Sequence, residues 1–253
     1  MKIEELKDNP ERQNLVSILY ESSFAQRMAN DIAPIILEHT RIILDTKQEI
    51  KDVETINQKN LKEAFYLHEK IRTVVEDIQK TIGFLRIDNK NKITELFPFL
   101  DDEKEYYNYF LENFIIRIAS IPDSLAMLAN HINEYGYFPC YGTTVVKNKK
   151  NNIDTQEQTV MQKLLDMSSK IREKRHKKVH EGEVKHEYFD NIVFYNNLFD
   201  LIGADFEGKE LLIEYDNDLL NKSIDSIEDE AKSIIKIVVE YLNILAPKID
   251  KWI

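Results

Sequence analysis

An all-α fold is the class this sequence predicts, and three observations predict it. Glycine and proline number only six each in 253 residues, so long stretches carry neither of the residues that interrupt helices. Charged residues make up 31% of the chain and apolar ones 43%, a balance that suits amphipathic helices around a sizeable core. Apolar positions recur three and four residues apart over most of the length, the period of a helix with one buried face. No Gly-rich phosphate loop of Rossmann or P-loop type is found, which argues against nucleotide-dependent folds of those kinds.

The elements follow in order. Asn9-Pro10-Glu11 reads as a helix start, with Asn as cap and Pro at the first helical position. The apolar pattern then runs to about Ile50, with Pro34 marking a break or kink. Leu61, Ala64, His68, Ile71, Val75, Ile78, Ile82 and Leu85 form a seam for antiparallel packing. His68 falls inside that seam and reads as a core residue rather than a ligand. Past the Leu96-Phe-Pro-Phe-Leu100 connector, Asp101-Asp102-Glu103 supplies a cap and first-turn acids. They begin a long helix reaching about Tyr135, kinked near Pro122, with Phe110, Phe114, Ile118, Ile121, Leu125, Leu128 and Ile132 inward. Arg117 and Asp123 stand beside this stripe, placed to pair at the edge of the core or to face a neighbouring site.

Residues 135–142 are a turn-rich aromatic connector, and 148–152 an exposed polar loop. A further helix is expected from about Thr155 into the segment before Gly182, with Val160, Leu164, Met167 and Ile171 inward. Another covers about 187–202. Residues 209–215 suit a short strand that pairs with 143–146 as a single β-hairpin. The last helix runs from about Ser223 to near Lys251, capped by Asp225 or Ser226, with Glu228 to Glu230 in its first turn. No repeat, low-complexity tract or linker cuts the chain into independent domains, so 1–253 reads as a single helical domain.

The formal net charge is −11, which argues against a surface that binds nucleic acid throughout. The lone Cys140, the absence of an N-terminal apolar core and the lack of any run of about eighteen apolar residues point to a cytoplasmic protein with no membrane association. One segment departs from this background. Three of the six histidines lie within eleven residues, from His176 to His186, and from Lys170 to His180 six Lys/Arg face one Glu, a local net charge of +5. A histidine titrates near neutrality and a guanidinium permanently neutralises a phosphate, so the pair suits acid/base work on a phosphodiester. A solvated helix face is the plainer reading of the same charges.

Spacing adds a constraint. On a continuous helix, Arg175 and His180 stand about 140° apart, unless the helix frays before Gly182. His176 and His180 lie four apart, as two metal ligands would. Without the intervening Glu of a His-Glu-x-x-His helix, or a third ligand beyond His186, metal binding is the weaker reading, and neither a metal nor a cofactor is expected.

With these residues the chain resembles the HEPN superfamily of helical proteins. The signature of that family is an Arg, a polar residue, a short spacer and a His, and Arg175-His176-Lys177-Lys178-Val179-His180 matches it residue by residue. The following Glu181-Gly182-Glu183 is similar to the Gly-Glu wording of several bacterial branches. Arg117-Ile-Ala-Ser120-Ile-Pro-Asp123-Ser-Leu-Ala126 is similar to a helix that precedes the motif in some of them. Gly182 stands where some toxin branches carry Tyr, so control through such a tyrosine is not implied.

The resemblance implies a HEPN-like bundle with a core of about 100–245, on which helices of 1–95 pack. It implies a metal-independent endoribonuclease working as a homodimer, the two motifs facing one another. His180 would exchange protons with the ribose 2′-hydroxyl or the departing 5′-oxygen, Arg175 would stabilise the charged phosphate, and His176 would orient either. Arg172, Lys174, Lys177 and Lys178 would hold the RNA backbone. Arg117 and Asp123 are secondary candidates. Members of the family often work in toxin–antitoxin or anti-phage systems, which implies an antitoxin or regulatory protein as partner. The alternative is a non-catalytic HEPN-like dimer that binds a nucleotide, RNA or protein.

Overall fold

The computed structural model describes residues 14–46, 55–87, 103–147, 154–181 and 209–253. The expected helix start at Asn9, the 96–100 connector, the 148–152 loop and the 187–202 helix lie outside the described residues. What is described is helical almost throughout, and no strand occurs among the described residues. The all-α class therefore holds.

Helix α1 (Leu15–Leu19) starts at Asn14, whose side chain accepts the Val16 amide at 2.9 Å. Helix α2 (Ser23–Arg27) starts at Ser22, whose hydroxyl accepts the Ala25 amide at 3.1 Å. Both are ordinary N-caps that satisfy a free first-turn donor. Next comes a π turn, Met28–Ile32, leading straight into α3 (Ala33–Thr46). Pro34 explains that turn. It cannot donate back to the preceding turn and its ring crowds the carbonyl there, so the widened turn takes the place of a full break.

Thr55 and Gln58 cap each other at the start of α4 (Ile56–Leu85), with bonds of 2.9 and 3.3 Å. All eight seam residues from Leu61 to Leu85 are buried. Helix α5 (Glu103–Asn133) contains Pro122 and buries the expected stripe apart from Phe110, which is half-buried and stacks on Phe84 at 4.7 Å. Glu134 and Gly136 then adopt positive φ, 57° and 74°, which ends the helix.

Three expectations are corrected. Residues 143–146 lie in a short helix, α6 (Gly142–Lys147), and 209–215 open the long α8 (Lys209–Leu245), so no hairpin forms. A short apolar run does not distinguish strand from helix, and 209–245 contains no Gly or Pro to stop helix propagation. For the same reason α8 begins fourteen residues before the expected start at Ser223, which is buried within it. After Leu245 the helix tightens into a 3₁₀ segment, Ala246–Trp252, with Pro247 near its start. In α7 (Thr155–Glu181) Val160, Leu164 and Ile171 are buried as expected, but Met167 is exposed and Ser168 takes the buried place, its hydroxyl bonded to the Leu164 carbonyl at 2.8 Å.

Chain contacts sort the residues into two compact units. One comprises Met1–Arg12, Asp77–Ala119 and Lys170–Lys232; among its described residues Tyr106 is buried and donates to the Phe84 carbonyl at 2.8 Å. The other comprises Gln13–Glu76, Ser120–Ser169 and Ser233–Ile253. In this second unit Asn243 accepts from the Ser23 amide and hydroxyl at 2.7 and 2.9 Å, and Arg27 donates to the Ala246 carbonyl at 2.7 Å and pairs with Asp250. Its most constrained group is Glu157, a carboxylate with no exposed surface. Glu157 accepts from Tyr135 at 3.1 Å, Tyr241 at 3.4 Å and Asn133 at 3.3 Å, and pairs with Lys248.

Breaking a buried, paired charge leaves its partners stranded, whereas an exposed pair is largely screened. Glu157→Ala is expected to lower the unfolding free energy by about 3 kcal/mol or more. Lys163→Ala removes the exposed 2.9 Å pair with Glu240 and is expected to cost less than about 1 kcal/mol. Urea denaturation of the two variants beside the parent checks both.

Candidate functional site

The candidate catalytic segment belongs to α7, which continues as helix through Glu181. Its backbone is described; the side chains of Arg172, Lys174, Arg175, His176, Lys177, Lys178 and His180 lie outside the described residues. Helical register nonetheless sets their rows. Positions 172, 176 and 180 recur every four residues and share one face, while Arg175 sits about 140° from His180. The helix does not fray before Glu181, so one copy of α7 keeps the Arg175 and His180 positions on different sides. Cations in the last turn are also favoured by the partial negative charge of a helix C-terminus. That is the structural account of Lys177, Lys178 and His180.

In the unit that contains the motif segment, charged groups are tied together. Arg117 meets Asp77 at 2.9 Å, so this secondary candidate has a structural partner on α4. Arg86, nearly buried, bonds Glu228 at 2.5 Å and Asp225 at 2.6 Å, and Lys232 meets the other Glu228 oxygen at 2.9 Å. Burial acts to raise the Glu228 pKa, but hydrogen bonds from Lys232 and Arg86 outweigh it and hold the carboxyl below its ordinary value. The same acids raise the pKa of Arg86 against the opposing effect of burial.

Asp123, the other secondary candidate, lies in the second unit and accepts the Gly142 amide at 3.0 Å. It acts there as an anion at the start of α6. The start is closely packed: a Cβ on residue 142 would lie 3.0 Å from the Pro122 Cβ and 3.2 Å from Leu165, so a larger residue there would have to push these side chains aside. The two secondary candidates thus serve different local structures.

Two histidines have described side chains. His68 is 1% exposed, 5.7 Å from the Phe24 ring centroid and 3.6 Å from Glu69, and neither ring nitrogen makes a hydrogen bond within the protein. It is a core residue, as its place in the seam implies. His131 bonds the Asn60 carbonyl at 2.9 Å and packs on Trp252.

Sequence reasoning missed the buried set around Glu157. Burial raises the pKa of Tyr135 and Tyr241, and the Glu157 charge raises both further. They therefore stay protonated and donate to Glu157 throughout the neutral range. Cys140 is pushed up to about 11 by burial and by Asp123. These are properties of a locked core rather than of reactive groups. The signal that could have found Glu157 is phase, for it lies three, seven, eleven and fourteen residues before Val160, Leu164, Ser168 and Ile171. An open groove of ≈ 600 Å³ runs along the exposed side of α7, lined by Val146, Gln158, Gln162 and Met167 among others. Its charged residues are engaged, Lys163 with Glu240 and Asp166 with Gln162 at 2.6 Å.

No family model, curated protein or solved structure matches the chain. No described helix is long and apolar enough to cross a membrane.

Two outcomes test the roles of these groups. A carboxyl held low in the folded state adds stability above its unfolded pKa and loses that contribution as pH falls through the folded value. The melting temperature of Glu228→Gln should therefore fall less steeply than the parent's between neutral and acidic pH, and lie below it at neutrality. His68→Leu removes a buried ring without hydrogen-bonded nitrogens and should leave the melting temperature unchanged or raise it. A loss of more than about 2 kcal/mol would instead assign His68 a polar role.

Proposed function

We propose that this protein is a metal-independent endoribonuclease of HEPN type, acting in the cytoplasm as a homodimer. The single observation that carries the reading is the Arg175-His176-Lys177-Lys178-Val179-His180 sequence within a segment of net charge +5 on a chain of net charge −11. A local cationic site on an anionic background attracts a polyanion to one place. His180 removes the proton from a ribose 2′-hydroxyl, the oxygen attacks the adjacent phosphorus, and the bond to the 5′-oxygen breaks as that oxygen gains a proton. The products are a 2′,3′-cyclic phosphate and a 5′-hydroxyl. Arg175 stabilises the phosphate as its charge grows, and His176 orients the phosphate or His180.

Helical register favours a site shared between two copies. Because Arg175 and His180 occupy different sides of an unbroken helix, the guanidinium of one copy and the imidazole of another converge more readily than the two within one copy. Arg172 falls in the row of His176 and His180 and serves the RNA backbone, together with Lys174, Lys177 and Lys178. A toxin or anti-phage setting, with an antitoxin or regulatory partner, accords with this chemistry.

Cleavage of a mixed RNA pool in excess chelator tests the reading. Wild type should leave 2′,3′-cyclic ends, His180→Ala and Arg175→Ala should each lose about a hundredfold or more of the activity, and neither should melt earlier. A 1:1 mixture of the two inactive variants should recover part of the activity if the site is shared. Intact RNA with folded, dimeric wild type would favour the non-catalytic binding module.

A further inference from the structure

Helix α3 is unlike the other long helices among the described residues. None of its described side chains is buried: Leu37 is 69% exposed, Leu44 is 73% exposed, and Ile35, Ile36 and Ile42 are half-buried. The π turn just before it, by contrast, buries Met28 and Ile32 completely. Exposed leucines scattered singly need no explanation, but these two are seven residues apart in a repeating sequence. Ile35-Ile36-Leu37-Glu38 recurs as Ile42-Ile43-Leu44-Asp45. A seven-residue apolar period is what a helix carries when it packs lengthwise against another helix.

The charges identify the occupant. Going round α3 at 100° per residue, Leu37 and Leu44 lie together, Thr40 and Ile36 flank them on one side, and Arg41, Glu38 and Asp45 flank them on the other. Arg41 lies 3.9 Å from Glu38 and 3.7 Å from Asp45 along its own helix. When two copies run antiparallel about a two-fold axis, like flanks meet each other. With Thr40 opposite Thr40 of the second copy, Arg41 comes level with Glu38 of that copy and the reverse, so opposite charges face each other twice along the charged edge, while Thr40 and Ile36 line the other edge. A parallel pair would set this charged flank against an apolar one. An anionic lipid surface would meet Glu38 and Asp45 as like charges, with Arg41 as the sole cation among the described side chains of α3.

We propose that α3 is a self-association surface, on which a second copy of this chain docks antiparallel, joining Leu37 of each copy to the segment around Leu44 of the other. The 14 residues of α3 span about 21 Å. A contact of that length falls at the low end of specific interfaces, and the association is in the micromolar range and reversible. It does not depend on the proposed chemistry.

Sedimentation equilibrium of the full chain over a micromolar concentration range reads the interface. Leu37→Glu with Leu44→Glu should weaken association at least about tenfold with an unchanged melting temperature. Arg41→Glu should weaken it, and adding Glu38→Arg to Arg41→Glu should restore it, because the swapped charges again face each other. Thr40→Cys should form an intermolecular disulfide under mild oxidation, and Asp45→Cys should not; the native Cys140 is buried. Wild type that stays monomeric at every concentration, or binds vesicles as a monomer, overturns the proposal. So does an association whose concentration dependence is unchanged by the paired leucine substitutions, even if the protein cuts RNA.

Discussion

A carboxylate removed from water must be given back its charge partner and its hydrogen bonds, and Glu157 receives both. Two phenols, an amide and an ammonium converge on it from the end of α5, the connector after it, α8 and the 3₁₀ segment. Each donor fixes the position of an element that apolar packing alone would leave free to slide, because methyl groups tolerate small shifts that hydrogen bonds do not. Around this group the second unit has a defined register. Its peripheral fastenings, Ser23 to Asn243 and Arg27 to Ala246, join α2 to the same C-terminal stretch. The first unit is tied differently, through Arg86 between two acids of α8, in a network that touches solvent at Asp225.

Legibility in the sequence followed the kind of force at work. The eight seam positions of α4 were readable because burial repeats with the helical period and all of them are apolar except His68. Residue 168 was not readable, since a serine whose hydroxyl returns to its own helix can be buried at little cost, and Met167 next to it draws the inward assignment by type alone. The stretch 209–215 shows a different limit. Its short apolar run fits either period, and its fate is set by the uninterrupted helix that follows it.

The candidate site was legible as chemistry and only partly as geometry. Residue types and their spacing name Arg175 and His180 without any fold. Where those groups lie relative to each other depends on whether α7 is broken, which no local residue before Gly182 dictates. Arg117 and Asp123 show the opposite case. As a pair in sequence they suggest one site, yet Arg117 turns to Asp77 and Asp123 to the Gly142 amide. Charged residues beside an apolar stripe are spoken for by whichever element packs next to them, and that element is remote in sequence.

The separation between Glu157 and its cation has a consequence for the order of events during synthesis. Lys248 follows Glu157 by 91 residues, and Asn243 follows Ser23 by 220. Chain emerges from the ribosome at about 5–20 residues per second, so the carboxylate and its neighbours exist for several seconds before their partner does. Helices α4 and α5 can form early from local contacts, but the second unit cannot close until the C-terminal stretch arrives. In that interval its apolar faces are open to whatever binds nascent chains.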